Sequence, residues 1–362
     1  MLRIFGAPSR YLQGPGALAR LGEELRAHGQ QPLVIADATV NALLKAPVLA
    51  GRGALAQAAS WATFSGECTA DEIQRIAAAA QGAEVVVGVG GGKTIDTAKG
   101  VSILLKRPIV IVPTVASNDS PTSRLAVLYT AEHALSEVRL MQRNPDTVLV
   151  DTAVIAQAPE RFFVAGIGDA LSKKFESAQS AASGGNNFFQ ASPPFLARQL
   201  GDACYDVIRQ HSEAALLALR RREPDEAFER VVEATVLLSG LAFESGGLSI
   251  AHAVLRGFSI IPPMARSLHG EQVAFGLLVQ WVLEGRSGAD IHELLGFYAR
   301  IGLPRTLQEL GCTEPVAQVA ATIAGHTWTH APYVRNLVAP VDAQRIEAAL
   351  ISADALGHHS KG

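Results

Sequence analysis

Four runs of strand length are apolar through their centres: Pro32-Leu33-Val34-Ile35-Ala36, Glu84-Val85-Val86-Val87-Gly88, Pro108-Ile109-Val110-Ile111-Val112-Pro113 and Thr147-Val148-Leu149-Val150-Asp151. A strand that does not alternate apolar with polar residues is covered on both faces, which calls for a parallel sheet between layers of helix. The intervening segments have helical spacing, as in residues 71–80, so the first half reads as repeated βαβ units. After about Pro159 the β-branched runs stop, and Ala/Leu/Glu/Arg-rich segments take over at 197–211, 212–222, 226–243, 271–284 and 290–301. The expected architecture is an α/β domain over residues 1–160 and an all-helical domain over residues 161–362. Breaks are expected at residues 183–187, at Ile261-Pro262-Pro263 and at Ala331-Pro332, with residues 357–362 as a loose tail whose His pair is solvated.

Composition narrows the functional classes. The chain has 362 residues, 48% hydrophobic and 18% charged, with a net charge of −3, enough apolar mass for a large core and too little positive charge to track a phosphate backbone. Its longest basic cluster, Arg220-Arg221-Arg222, is followed by Glu223 and Asp225, so nucleic acid is not an expected partner. No run approaches the roughly 20 apolar residues of a membrane span, and Gly6 and Pro8 interrupt the start before a signal-peptide core forms. Three widely spaced cysteines, Cys68, Cys204 and Cys312, suggest neither a disulfide framework nor a thiolate cluster. The expected compartment is the cytoplasm.

The most informative segment is Val85-Val86-Val87-Gly88-Val89-Gly90-Gly91-Gly92-Lys93-Thr94, a strand entering a glycine run that opens a helix. Free N–H groups and the positive end of the helix dipole make such a junction an anion site, and glycine lets a phosphate approach the backbone. Two familiar spacings fail by counting: a P-loop needs glycine where Val87 stands, and the G-x-G-x-x-G fingerprint needs one where Lys93 stands. A ligandless strand–helix turn is the plainer alternative. Asp37, at the end of the strand 33–36, is either a ribose-binding carboxylate that favours NAD over NADP or an ordinary helix N-cap.

The segment Gly88-Val89-Gly90-Gly91-Gly92-Lys93-Thr94-Ile95-Asp96-Thr97-Ala98-Lys99, with Pro113-Thr114-Val115-Ala116-Ser117-Asn118-Asp119-Ser120-Pro121-Thr122-Ser123, resembles the iron-containing (group III, metal-dependent) alcohol dehydrogenase superfamily, and within it the glycerol dehydrogenase branch. The similarity continues through Asn144-Pro145-Asp146-Thr147, Gly166-Ile167-Gly168-Asp169-Ala170-Leu171, Phe243-Glu244-Ser245-Gly246-Gly247-Leu248, His252-Ala253-Val254 and His269-Gly270-Glu271-Gln272-Val273-Ala274-Phe275-Gly276, nearly the whole chain. The resemblance implies a dehydroquinate synthase-like fold: an N-terminal α/β domain with a Rossmann-like parallel sheet that binds NAD, an all-helical C-terminal domain that binds a divalent metal, and an active site between them. The cofactor contacts it implies are Asp37 at the adenine ribose, Gly92 and Lys93 at the pyrophosphate, and Thr114, Ser117, Ser123, Leu125 and Tyr129 around the phosphate and nicotinamide end. It places Asp119 against the substrate and makes Asp169, His252 and His269 the metal ligands, with zinc usual in this branch and iron in others. It further implies a small-molecule polyol substrate, glycerol giving dihydroxyacetone, and a homo-oligomer, often an octamer.

Spacing alone would not reveal that metal set, since Asp169 precedes His252 by 83 residues and His252 precedes His269 by 17. The donor types suit zinc and leave positions open for a substrate oxygen. Asp169 is expected just inside a helix and His269 just before one; the acceptor for each second ring N–H cannot be identified from sequence. In the implied chemistry the metal acts as a Lewis acid on the alcohol oxygen and the nicotinamide takes the hydride. Asp119 either holds a second hydroxyl, relays the proton or caps the turn before Pro121.

The chain departs from the branch pattern on the substrate side. Leu255-Arg256 stand where a His and an Asn are usual, Thr329-His330 replace a later His-Asn pair, and Lys173-Lys174 follow Ser172 where an aromatic is common. If Arg124, Arg256 or Arg266 reaches the pocket, a carboxylate or phosphate on the substrate becomes the runner-up reading; otherwise these arginines are solvated. Non-redox lyases on the same fold and a non-enzymatic nucleotide-binding module are the readings from other classes. His28, His133, His211, His292 and His326 are taken as ordinary packed or surface residues.

Overall fold

A computed structural model describes residues 2–51, 59–80, 82–130 and 135–360. His133 and the last two residues of the expected tail lie outside these. Six strands, β1 (Arg10–Gly14), β2 (Pro32–Asp37), β3 (Ser60–Phe64), β4 (Val85–Gly90), β5 (Ile109–Pro113) and, after a hairpin, β8 (Thr147–Asp151), form one parallel sheet in the order β1-β8-β5-β4-β2-β3. The hairpin is β6 (Leu125–Tyr129) against β7 (Leu135–Leu140), antiparallel. Helices α1 (Leu21–Arg26), α2 (Ala38–Gly51), α3 (Ala70–Ala79) and α4 (Gly92–Leu105) belong to this α/β region.

The unbroken apolar runs are explained by burial on both faces. Val34, Ala36, Val85, Val87, Val110, Val112 and Leu149 pack with Leu21 and Leu25 of α1 on one side. Leu33, Ile35, Val86, Ile109, Ile111, Val148 and Val150 join the other core, which contains Ile73, Ile76, Ile95 and Val101 of α3 and α4 and runs on into the helical region. Strands β1, β3, β6 and β7 were not expected from the sequence. β1, β3 and β7 are partly exposed, so their composition does not announce them; β6 is apolar and mostly buried, but its partner is the exposed β7.

The rest of the chain is helical: α5 (Thr152–Ile155), α6 (Glu160–Ala182), α7 (Phe195–Arg221), α8 (Glu226–Glu233), α9 (Ser239–Gly246), α10 (Ile250–Ala253), α11 (Leu255–Phe258), α12 (Pro262–Ala265), α13 (His269–Leu283), α14 (Gly288–Ile301), α15 (Val316–His330) and α16 (Ala343–His359). Three expectations need correction. The segments 197–211 and 212–222 are one helix, α7, because Ser212 donates to the Ile208 carbonyl at 2.6 Å and no breaker intervenes. Residues 357–359 are not a loose tail: α16 continues to His359, and Gly357 packs so tightly that a Cβ there would lie 1.8 Å from the Arg305 carbonyl oxygen. Asp169 sits in the middle of α6, not just inside a helix end, since Gly166 and Gly168 serve close packing and do not break the helix. Among the described residues no single helix is long and apolar enough to cross a membrane.

Candidate active site

The place of a ligand crevice follows from strand order. The chain reverses direction across the sheet between β2 and β4, and in such sheets ligands bind in the crevice beyond the carboxyl ends of the strands flanking the reversal. Asp37 ends β2, and Gly90 ends β4, where Gly91 precedes the first turn of α4. Gly90 has φ +158°, and a Cβ there would strike Thr94 at 2.7 Å; a Cβ at Gly92 would meet the Asn118 amide at 2.7 Å. Asp37 Oδ1 accepts the Val40 N–H at 2.8 Å, so the N-cap role exists, with the carboxylate still at the crevice. Lys93 pairs with Glu67 at 2.6 Å and lies over the Tyr129 ring.

Sequence reasoning gave no role to Lys99 and Asp96, yet they shape the neighbouring loop. Lys99 is fully buried and donates to the carbonyls of Ser120 and Leu125, both at 2.6 Å, while Asp96 accepts from Ser120 Oγ at 2.6 Å and Val127 N at 3.1 Å. A buried charge pair satisfied this way fixes the backbone that carries Ser123, Leu125 and Tyr129. Thr114 is tied to Gly90 by a 3.0 Å backbone bond, which keeps the loop bearing Ser117 and Asp119 beside the glycine turn.

On the helical side, glycines bring three separate helices into backbone contact. A Cβ on Gly270 would lie 1.7 Å from the Ala165 oxygen, one on Gly168 would lie 2.5 Å from the Gly270 oxygen, and one on Gly276 would lie 2.2 Å from the Ala251 oxygen. These contacts join α6, α13 and α10, and so bring together Asp169, His252 and His269, whose donor atoms all lie within 4.8 Å of one another. His252 Nε2 is 3.3 Å and His269 Nε2 3.7 Å from Asp169 Oδ1. Gly166 packs against the Ala116 oxygen at 2.0 Å, which docks the Asp119 loop on α6.

The acceptor that the sequence could not identify is Glu176, two turns beyond Asp169 on α6. Its Oε2 is 2.6 Å from His252 Nδ1, and its Oε1 accepts the Ser249 and His252 N–H groups at 2.9 and 3.0 Å. Nδ1–H is thereby committed to Glu176, and the Nε2 lone pair is turned toward Asp169. A spacing of seven residues on one helix was the available signal. Glu176→Gln is expected to weaken divalent-metal binding about 10- to 100-fold; competition against a chromophoric chelator measures it, and unchanged affinity would refute the assignment.

Lys173, noted in the sequence only as a departure from a pattern, is a buried member of the site. Its ammonium contacts Asp169 Oδ1, lies 3.2 Å from both Asp119 Oδ2 and His252 Nε2, and sits over the Phe243 ring. Burial alone would raise the Asp169 carboxyl, but Lys173 and the two histidines hold it well below the usual carboxylate range. Burial followed by repulsion from Asp169 raises Asp119, against the pull of Lys173 and a 2.7 Å bond from Ser239 Oγ. Burial would lower His252, but Glu176 raises it; desolvation lowers His269 despite Asp169. Asp119 makes no side-chain cap to the turn before Pro121.

The arrangement fits a divalent metal. Asp169 Oδ2 is buried with no hydrogen-bond partner, two imidazole nitrogens face the same carboxylate, and His269 at 43% side-chain exposure leaves one side open. Thr329 and His330 lie exposed at the end of α15, and Leu255 is half-buried against the core. Arg124 is committed elsewhere: it donates to the Phe188 carbonyl at 2.6 Å, pairs with Glu244 and stacks on Phe189.

Comparison with known proteins shows that residues 8–152 match the family described as iron-containing alcohol dehydrogenase. The chain is 38% identical to a glycerol dehydrogenase from Pseudomonas putida over 99% of both sequences. It is 37% identical to a glycolaldehyde reductase from Halobacterium salinarum over 99% of this chain and 98% of that one. Among solved structures, a probable glycerol dehydrogenase from Sinorhizobium meliloti superposes with a TM-score of 0.92 at 34% identity, covering 99% of this chain and all of the other.

Proposed function

Because this chain belongs to the iron-containing alcohol dehydrogenase family, we propose that it is an NAD- and divalent-metal-dependent dehydrogenase of a small polyol, with glycerol oxidised to dihydroxyacetone as the reaction to try first. The observation that carries this reading is a single loop that serves both halves of the site. Thr114 bonds to the glycine turn, and five residues on, Asp119 lies 3.2 Å from Lys173 within the Asp169–His252–His269 cluster. A nucleotide held at the N-terminus of α4 and a metal held by the cluster would therefore face one small volume. The division into a nucleotide-binding domain over residues 1–160 and a metal- and substrate-binding domain over 161–362 accords with this placement.

Asp169, His252 and His269 would hold the metal, zinc by donor type with iron the other candidate, and it would supply Lewis acidity to the alcohol oxygen while NAD accepts the hydride. The chain's own residues position the substrate. Asp119 Oδ1 accepts a hydrogen bond from the neighbouring hydroxyl of a vicinal diol, while Ser239 and Lys173 hold its Oδ2. Gly92, Lys93, Thr114, Ser117, Ser123, Leu125 and Tyr129 would contact the nucleotide, and the Asp37 carboxylate would favour a free ribose over one bearing a 2′-phosphate. Exposed Phe195 and Leu196 at the head of α7 are suitable for assembly into a homo-oligomer, and a cytoplasmic site of action accords with three unpaired cysteines.

The test is NADH formation from glycerol by zinc- or iron-loaded protein, before and after chelation. Turnover that disappears with a chelator and returns on metal addition is the expected result. Turnover indifferent to chelation would refute the metal assignment.

A further inference from the structure

Three of the cations beside the site are each paired with an acid. Lys93 is paired with Glu67, Lys99 with Asp96 and Arg124 with Glu244. Around the metal cluster, the three carboxylates Asp119, Asp169 and Glu176 are matched by Lys173 and a divalent ion. Arg256 differs from these: it is half-buried and has no ion pair or side-chain hydrogen bond to an acid among the described residues.

Two observations put Arg256 on the side of the metal cluster. It stands four residues after His252 across the consecutive helices α10 and α11, so both project from one side, about 6 Å apart along the axis. Its helix cannot rotate away, because Gly257 is packed on α15 so closely that a Cβ would lie 2.4 Å from the Ile323 oxygen. The other two arginines singled out in the sequence do not compete: Arg124 is spent on Phe188 and Glu244, and Arg266 is exposed.

We propose that Arg256 binds an anionic group of the substrate, a carboxylate or a phosphate, next to the carbinol that is oxidised, so that the preferred polyol is an acidic one. A half-buried guanidinium without a partner is matched by an oxyanion, which it can grip with two parallel hydrogen bonds, and a neutral polyol leaves it unmatched. The inference rests on the dehydrogenase reading of this cleft and adds the substrate class.

The experiment compares metal-loaded wild type, Arg256→Leu and Arg256→Lys on glycerol, glycerate and glycerol 1-phosphate, three polyols that differ in one terminal group. In wild type, kcat/KM for glycerate or for the phosphate is expected to exceed that for glycerol by about tenfold, and which of the two does so identifies the anion. Arg256→Leu is expected to lower that ratio about 10- to 100-fold, chiefly through KM, and Arg256→Lys to restore part of it. In parallel, oxamate binding to the enzyme–NADH complex, followed by NADH fluorescence, is expected to weaken by a similar factor in Arg256→Leu. A ratio that stays within about threefold, or an equal loss of NADH affinity in Arg256→Leu, would overturn the proposal. Failure of all three substrates while oxamate still binds through Arg256 would instead sink the dehydrogenase reading and support the anion site.

Discussion

Asp169→Asn is expected to lose bound metal and to lower kcat by about three orders of magnitude or more. The amide keeps the size of the carboxylate but removes the one negative charge that faces both His252 and His269, and Lewis-acid assistance accounts for several kcal/mol of such a barrier. Removing a charge beside buried Lys173 also costs stability, so a second variant separates the effects. His269→Ala, at the open edge of the cluster, leaves the pairing of Lys173 with Asp169 and Asp119 intact and is expected to lose metal and rate with little change in melting temperature. Metal content by mass spectrometry and steady-state rates decide the matter. Stoichiometric metal in either variant, with a rate within about tenfold of wild type, would dismiss these residues as ligands.

Gly270→Ala is expected to be among the most damaging single-methyl substitutions in the chain. Its Cβ would stand 1.7 Å from a backbone oxygen of α6, which no rotamer can relieve, so α13 must shift and carry His269 with it. A loss of about 3 kcal/mol, read as a fall in Tm of about 4 °C, is expected together with weakened metal binding. Gly288→Ala is the control, since the first residue of α14 has open space around it and an ordinary φ. Equal effects in the two variants would mean that the α6–α13 contact is not what holds the site together.

The expected outcomes divide according to what is local. The glycine run before Lys93, the carboxylate ending the strand at Asp37 and the four apolar strands could be read because each depends on a few consecutive residues. The hairpin of β6 and β7 could not, because its outer strand is exposed and has charged residues at Glu137 and Arg139. Asp169, His252 and His269 were named by resemblance to a family, since residues 83 and 17 apart leave no local pattern. Lys173 had been noticed as an oddity and Glu176 not at all, although both lie on the same helix as Asp169.

By itself the sequence determined the two kinds of architecture, the glycine turn between strand and helix and the residue types available for a metal. Only the tertiary structure decided that Lys173 faces Asp169, that Glu176 orients His252, and that Arg256 is left without a counter-ion while Arg124 is not. The physical reason is that backbone conformation and apolar burial are set by neighbours in sequence, whereas the charge environment of a side chain depends on which groups from distant segments come within a few ångströms. Here that meeting is arranged by Gly168, Gly270 and Gly276, whose missing side chains let the helices touch, and by Gly166, which lets the Asp119 loop dock on α6.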